Sequence, residues 1–458
     1  MTDAVAAVDL GATSGRVMLG HVGPNELSLT AITRFPNGPV AANAELHWDI
    51  ARLFRCVVDG LEAAQREERD VRSIGVDSWA VDYALLRDGR PLGEVFHYRD
   101  DRNLAAADRV HELVSPAELY AANGLQYQPF NTLYQLEAEK DLAAVDSFLL
   151  VPDLFNFWLT GRQLAERTNA STTGLLNVAT HKWDDALIGR LGLPRSIFPE
   201  LMDAGSVVGQ TDGGIDVIAV GSHDTASAVV AVPSNSDDFA YISCGTWGLV
   251  GVELEAPVLT EPSRLANFTN EGGVDGRIRY LQNVTGLWLL SESVRAWEQD
   301  GETIDLPTLL RAAADATASV PIFDANDASF LAPGDMPARI ANWLTTHALP
   351  VPASRVEFVR CIIESLANAF AHAVRQAVEL SGKSVSVIHI VGGGSQNQLL
   401  CQLTANRAGL PVVAGPVEAT AIGNVLVQAR ALGLIHGDLE TLRAVVASST
   451  ELKTYSPR

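Results

Sequence analysis

The first apolar stretch of the chain, AVAAVDL, runs into a turn of small residues, GATSG, and a second apolar stretch follows from Arg16 to Val22. This pattern predicts two strands joined by a tight turn. ELSLTAITRF then alternates apolar and polar positions and predicts a third strand. From Asp49 to about Glu68 the period changes, with Leu53, Val57, Leu61 and Ala64 on one helical face. RSIGVDSWAVDYALL returns to strand character.

A similar arrangement begins near residue 239. FAYISCGTWGLVGVEL again places a small-residue turn between two apolar strands, and setting Gly245 against Gly11 puts Ser243 opposite Asp9. The repeat is weak in sequence but covers the same hairpin in each half. Further on, Val359, Ile362, Ile363, Leu366 and Phe370 mark one face of a long amphipathic helix from Val356 to Leu380. The strand VSVIHIV leads into Gly392-Gly393-Gly394, and another helix is expected from near Asn397. Between the two repeats, AVPSNSDD is polar and carries a proline, which places a domain boundary there and gives domains 1–234 and 235–458.

Length supports this division, because 458 residues exceed what one hydrophobic core usually serves. A formal charge of −22 argues against nucleic acid or an anionic membrane as partner, since both require a basic surface. Any anionic ligand must therefore be held by local backbone groups or a metal. Cys56, Cys244, Cys361 and Cys401 are widely spaced and form no zinc-binding pattern, so reduced thiols are expected. The opening MTDAVAAVDLG lacks the basic region of a signal peptide, and no apolar run approaches the roughly 20 residues of a membrane span. A cytoplasmic location is the resulting expectation.

Four segments carry candidate chemistry. In Asp9-Leu10-Gly11-Ala12-Thr13-Ser14-Gly15-Arg16, glycines allow backbone N–H groups to approach a phosphate, while Thr13 and Ser14 offer hydroxyls. Asp9 can hold magnesium through water, because magnesium keeps much of its hydration shell. Taken alone, the segment also reads as an ordinary hairpin. Ser243-Cys244-Gly245-Thr246-Trp247-Gly248 is a second such turn, and a pair of them suits a polyphosphate whose charge needs positioned donors. Gly392-Gly393-Gly394 precedes a helix and lets the backbone lie flat against a nucleotide, though a glycine loop without a ligand fits equally well. In Gly221-Ser222-His223-Asp224-Thr225, Asp224 reads either as a base for a substrate hydroxyl or as a helix cap, and His223 as catalytic or structural. Trp48, Trp79 and Trp247 read as core or cleft-wall aromatics, with sugar stacking open to Trp79.

Two apparent motifs fail on context. Gly382-Lys383-Ser384 resembles the end of a P-loop, but residue 377 is alanine where the first glycine belongs, and the flanking elements come in the wrong order. The glycines after the first strand do not make a dinucleotide fold, because Arg16 to Val22 continues as strand rather than helix.

In combination the segments resemble the FGGY carbohydrate kinases across nearly the whole chain. VDLGATSGRVML, GVDSWAVDY, YRDDRN, QPFNTLYQL, TNASTTGLLN, SHDTASAV, SCGTWGL, NEGG, NVTGLWLL, VGGGSQNQLL and AGPVEATAIGN follow one another in the family's order. The resemblance implies an α/β fold of two actin-like (ribonuclease H-like) domains around a cleft, the N-terminal one binding sugar and the C-terminal one nucleotide. It further implies a kinase moving the γ-phosphate of ATP to the 1-hydroxyl of L-rhamnulose with Mg²⁺ as cofactor.

Asp224 then corresponds to the catalytic base, which displaces the cap-only reading. Ala80, His223, Thr225 and Asn283 correspond to sugar-contacting positions. Ala12, Thr13, Ser14, Gly15, Arg16, Thr246, Ser291 and Gly393 correspond to nucleotide-contacting ones, and Asp9 to the metal-holding acid. Two positions depart from the pattern: Ala80 stands where the family has glycine, and Ser291 where a glutamine is usual. Alternative readings are a kinase for L-fuculose or a pentulose, a silent sugar-sensing homologue, and a nucleotide-driven binding machine. ATP turnover that requires a sugar separates the kinase from the last two.

Overall fold

The computed structural model describes residues 3–458 apart from 25, 44, 302 and 318. Packing groups the chain into two units. The first comprises Met1–Asn235, Glu253–Tyr280 and Ala419–Thr450, and the second Ser236–Val252, Leu281–Glu418 and Glu451–Arg458. The sequence pattern placed a single boundary between residues 234 and 235; by packing, the stretches 253–280 and 419–450 return to the first unit.

The first unit's main sheet uses β1 (Asp3–Leu10), β2 (Ser14–Gly23), β3 (Glu26–Pro36), β4 (Val71–Ser78), β5 (Val207–Gln210) and β6 (Asp216–Ile218). Their spatial order is β5-β6-β4-β1-β2-β3. Strand β1 lies antiparallel to β2, with Asp9 opposite Arg16, and parallel to β4, with Asp9 beside Asp77. Nearly all of β1 is buried, which explains its unbroken apolar run. Helix α1 (Ile50–Glu67) packs on β2 and β3 and is capped by Asp49, whose carboxylate accepts from Arg52 N. Such a cap contributes about 1 kcal/mol. Helix α2 (Asp224–Val230) follows β6.

In the second sheet, β7 (Phe239–Cys244), β8 (Trp247–Leu254), β9 (Ile278–Thr285), β10 (Val387–Val391), β11 (Val412–Ala414) and β12 (Lys453–Tyr455) run in the order β9-β8-β7-β10-β11-β12. The pairing of β7 repeats that of β1: antiparallel to β8 and parallel to β10. The outer strands match too, since β6 and β11 are parallel to their inner neighbours and β5 and β12 antiparallel at the edges. The weak repeat in sequence is thus a repeat in the order and direction of five strands of each sheet, the second sheet having one strand more in all. The remaining helices used below are α3 (Trp288–Gln299), α4 (Arg355–Ser381), α5 (Gln398–Ala408), α6 (Ala419–Ala431) and α7 (Leu439–Ser449). Helix α4 begins at the Ser354 cap and stops at Gly382, where φ is 71° and a left-handed residue ends the hydrogen-bonding pattern.

RSIGVDSWAVDYALL is not one strand. Strand β4 stops at Ser78, and a separate strand spans Tyr83–Arg87. Between them Val81 has φ 67°, a costly value for a β-branched residue. Interactions from distant segments hold it there. Asp82 Oδ2 accepts from Trp48 Nε1 at 2.6 Å, Trp79 Nε1 at 3.0 Å and Tyr98 N at 3.2 Å, and Asp82 Oδ1 accepts from Gln135 Nε2 at 2.9 Å. Thr132 Oγ1 donates to Val81 O at 2.7 Å. Trp79 is buried with its ring 4.2 Å from that of Trp48, which makes it a core residue of this unit.

The buried His97 stacks on Trp48 with centroids 4.1 Å apart, and its Nδ1 accepts from Arg99 N at 3.0 Å. Burial and the neighbouring Arg99 charge lower its pKa from 6.5 to about 3. Below pH 6.5 the unfolded chain takes up a proton that the folded one refuses, so this stability contribution falls as pH drops towards 3. Asp82 has the opposite sign: burial raises its pKa to about 6 despite its donors, so its contribution is lost as pH rises through 6. The His97→Phe variant keeps the stack. At pH 5 the wild type is expected to have lost about 2 kcal/mol relative to this variant, compared with pH 7.5, at about 1.4 kcal/mol per pH unit. Parallel urea titrations at the two pH values measure the difference, and equal slopes would remove His97 as its source.

Candidate active site

The carboxyl ends of β1 and β4 and the start of α2 come together in the first unit. Ser78 N donates to Ser222 O at 2.9 Å, and Trp79 N to Leu10 O at 3.1 Å. These bonds bring Asp9, Asp77 and Asp224 to one end of the sheet, the usual location of ligand sites in sheets with parallel strands. Asp9 is buried and accepts from Arg16 Nε at 2.8 Å. Asp77 is also buried, and its Oδ2 accepts from Asn424 Nδ2 at 2.6 Å. Burial, together with the charges of Asp9 and Asp224, raises the Asp77 pKa well above the ordinary value. A buried chain continues through Gln428, which donates to Asn424 Oδ1 and accepts from Ser73 Oγ, both at 2.6 Å. Helix α6 is thereby tied to β4.

Asp224 is the first residue of α2, and His223 occupies the N-cap position without a side-chain cap bond. The cap reading of Asp224 therefore fails. Thr225 Oγ1 donates to Asp224 Oδ1 at 3.1 Å, and His223 Nε2 lies 3.4 Å from the same oxygen. His223 and Thr225 are buried, whereas the Asp224 side chain is 30% exposed and so open to a substrate. Glu166 anchors this segment from behind, its Oε2 accepting from Ser222 N at 3.1 Å and Ser222 Oγ at 2.7 Å. A cavity of about 680 Å³ lies on that side, lined by Glu166, Thr168, Gly272 and Arg277 among others; it contains neither Asp9 nor Asp224. Ala80 is half-buried within the strained 79–82 segment.

The first small-residue turn closes through Gly11 N donating to Ser14 O at 2.9 Å and Asn37 Nδ2 donating to Gly11 O at 2.8 Å. Ala12 and Ser14 are half-buried and Thr13 is exposed. Gly15 is buried, and a Cβ there would sit 2.2 Å from the Phe35 ring, so its missing side chain serves packing.

Within the second unit, three turns meet. Gly286 N and Trp288 N donate to Thr246 O, each at 3.2 Å, and Leu287 N donates to Gly245 O at 2.9 Å. The amides of Gly286, Leu287 and Trp288, at the entry to α3, therefore hold the Thr246 turn. Ser291 is exposed on the next turn of α3. In the glycine run, Gly392 has φ 80° and passes over Cys244 O, while Gly394 leaves room for Cys244 Sγ. Gly393 has open space where a side chain would stand, so it alone presents free backbone surface. Asn283 is half-buried on β9.

Asp77, Asn424, Glu271 and Arg279 were not singled out as site residues from sequence. The segments GVDSW, AIGN and NEGG contained three of them, but only the fold shows what they touch.

Comparison with known proteins accounts for this arrangement. Residues 4–230 match the N-terminal domain, and residues 240–432 the C-terminal domain, of the FGGY family of carbohydrate kinases. The chain belongs to the FGGY carbohydrate kinase family. Among curated relatives, a rhamnulokinase of Bacteroides thetaiotaomicron is 40% identical, the match covering 99% of this chain and 95% of that one. A rhamnulokinase of Pectobacterium carotovorum is 41% identical over 99% and 93%. The fold matches solved structures of xylulose kinase from Lactobacillus acidophilus (TM-score 0.78, 17% identity) and Plasmodium falciparum glycerol kinase with ADP (TM-score 0.76, 14% identity). These cover 100% of this chain and 94% of each of those. This FGGY protein is a carbohydrate kinase that uses ATP, and its two units carry the actin-like (ribonuclease H-like) α/β fold. No helix among the described residues is long and apolar enough to cross a membrane.

Proposed function

We propose that this kinase transfers the γ-phosphate of ATP to the 1-hydroxyl of L-rhamnulose, as a cytoplasmic step of L-rhamnose breakdown. Near-full-length identity of about 40% to rhamnulokinases supports the choice of sugar. The observation that carries the chemistry is Asp224: partly open to solvent, outside the N-cap position, bonded through one oxygen to Thr225 and with His223 Nε2 3.4 Å from that oxygen. Its other oxygen takes the hydroxyl proton as the phosphoryl group transfers. His223, Thr225, Ala80 and Asn283 orient the sugar. Ala12, Thr13, Ser14, Gly15, Arg16, Thr246, Ser291 and Gly393 hold the nucleotide, through hydroxyls and turn amides that neutralise phosphate charge. The domain assignment follows: residues 1–234 serve the sugar and supply the base, and 235–458 serve the nucleotide.

Mg²⁺ fits the first unit. Three carboxylates, Asp9, Asp77 and Asp224, interact electrostatically near one paired cation, Arg16, and the buried Asp77 Oδ1 has no hydrogen-bond partner. Among the described residues no cluster of three His, Cys, Asp or Glu could coordinate a metal directly. Magnesium keeps several of its waters, and Asp9 would anchor it through them. When bound, it supplies positive charge to the phosphates.

The test is ADP release over a panel of ketoses. L-rhamnulose is expected to give the highest kcat/KM, and release without sugar should be negligible. The Ala80 methyl can shift the ranking by about 1–3 kcal/mol, the scale of one small group in a pocket. An advantage of about tenfold for L-fuculose or a pentulose would overturn the choice of sugar but not the kinase.

A further inference from the structure

Arg279 is fully buried, an expensive place for a guanidinium unless its donors are used. Its Nε donates to Gly272 O at 2.9 Å, and its Nη1 lies 3.1 Å from Glu271 Oε2, in a carboxylate that is itself buried. Its Nη2 lies 3.0 Å from Nδ1 of His223. A guanidinium can only donate, so Nδ1 must accept with its lone pair. The neutral imidazole then carries its proton on Nε2, the nitrogen 3.4 Å from Asp224 Oδ1. From this geometry we infer that Arg279, held by Glu271, is a positioning residue for phosphoryl transfer: it sets the His223 tautomer and so aims the Nε2 proton at the base.

The arrangement decides between two outcomes. Glu271 Oε2 is 3.3 Å from the same Nδ1 and would draw a proton there if it were free to do so. Arg279 neutralises that carboxylate and occupies Nδ1 with its own N–H. Burial pushes the Glu271 pKa up, but the Arg279 charge beside it leads the opposing causes, and the group is held below its ordinary range. Without Arg279, His223 would either place its proton on Nδ1 and turn a lone pair towards Asp224, or become an imidazolium between two carboxylates. Either change spoils Asp224 as a base. With the normal tautomer, Thr225 donates to Oδ1 and the Nε2–H of His223 stands 3.4 Å from the same oxygen, which leaves Oδ2 to accept the hydroxyl proton.

This inference rests on Asp224 acting as the base in the proposed kinase reaction, and the test separates the two claims. In ¹⁵N-histidine-labelled wild type at neutral pH, with His223 assigned by comparison with His223→Gln, Nδ1 should resonate as unprotonated and Nε2 as protonated. The opposite tautomer, or an imidazolium, would overturn the role of Arg279 whatever the activity. Arg279→Met should lower kcat for the sugar-dependent reaction by about 10–100-fold, the usual cost of removing an orienting partner behind a functional histidine, with a much smaller change in KM. Adding Glu271→Gln to that variant should recover part of kcat, because the competing carboxylate is gone. If the folded Arg279→Met protein, verified by circular dichroism, keeps kcat within about twofold, the arginine is structural only. An Arg279→Met protein that fails to fold leaves the wild-type tautomer measurement to decide. Wild type without sugar-dependent ADP release would instead sink the kinase reading, and the tautomer could still be as stated.

Discussion

Asp224→Asn is expected to lower kcat by about 10²–10⁴-fold, the scale of losing a positioned base, while sugar and ATP binding stay close to wild type. Asparagine has the same shape and can still engage Thr225 and the Nε2–H of His223 through its amide oxygen. It cannot take up the hydroxyl proton as the phosphoryl group departs from ATP. The loss should therefore fall on kcat rather than KM, as for an interaction realised mainly in the transition state. Stability should change little, because the N-cap position belongs to His223 and Asp224 makes no cap bond. Single-turnover transfer and calorimetric binding on the purified variant provide the check. Near-normal transfer would remove Asp224 from the chemistry.

The second large effect is expected far along the chain from that aspartate. Gly423→Ala should destabilise the protein by about 3 kcal/mol or more, the upper end of ordinary overpacking costs and beyond. A Cβ at Gly423 would stand 1.8 Å from Ser227 O and 2.6 Å from Ser227 C. Both atoms are backbone of α2, so no side-chain rotation relieves the clash, and α6 and α2 must separate. Ser227 is three residues beyond Asp224, so activity should fall together with stability. Gly189→Ala is the control: nothing lies within 4 Å of its added carbon, and it is helical, so the variant should be neutral or gain up to about 1 kcal/mol. If thermal melts of the two variants coincide, the close approach of the helices is not what the glycine is for.

Gly423 also marks the limit of what the sequence could tell. Elements whose cause is local were legible: both hairpins, the helix capped by Asp49, the long helix ending at Gly382, and the helix starting after Asn397 all rest on period, caps and turn residues. The candidate base was legible only because its segment resembles a family, since spacing alone favoured a cap. What escaped depends on contacts between distant segments. Nothing in VDSWAVDY shows that Val81 leaves the strand, because the groups that hold the break, Trp48, Tyr98, Thr132 and Gln135, lie elsewhere in the chain. Asp77 lies in the GVDSW segment, while the partner of its carboxylate, Asn424, stands 347 residues away. Only packing brings Glu271 and Arg279 together onto His223.

The return of residues 419–450 to the first unit has a consequence for how the protein is made. Helix α6 covers β1 and β4 and braces α2, and α7 adds the buried Arg443, which pairs with Glu253 at 2.9 Å. A ribosome delivering the chain from its amino end completes β1 more than 400 residues before the helix that covers it. Until then Gly20 and Gly75 lack the neighbours Val425, Asn424 and Gln428 that lie against them in the folded protein. A nascent chain cut short at residue 418 would contain Asp9, Asp77, Asp224 and both small-residue turns while lacking the brace that sets the base in place. Competence for catalysis thus waits on residues 419–450, and a chain stopped before them keeps the reactive groups without the helix that braces α2.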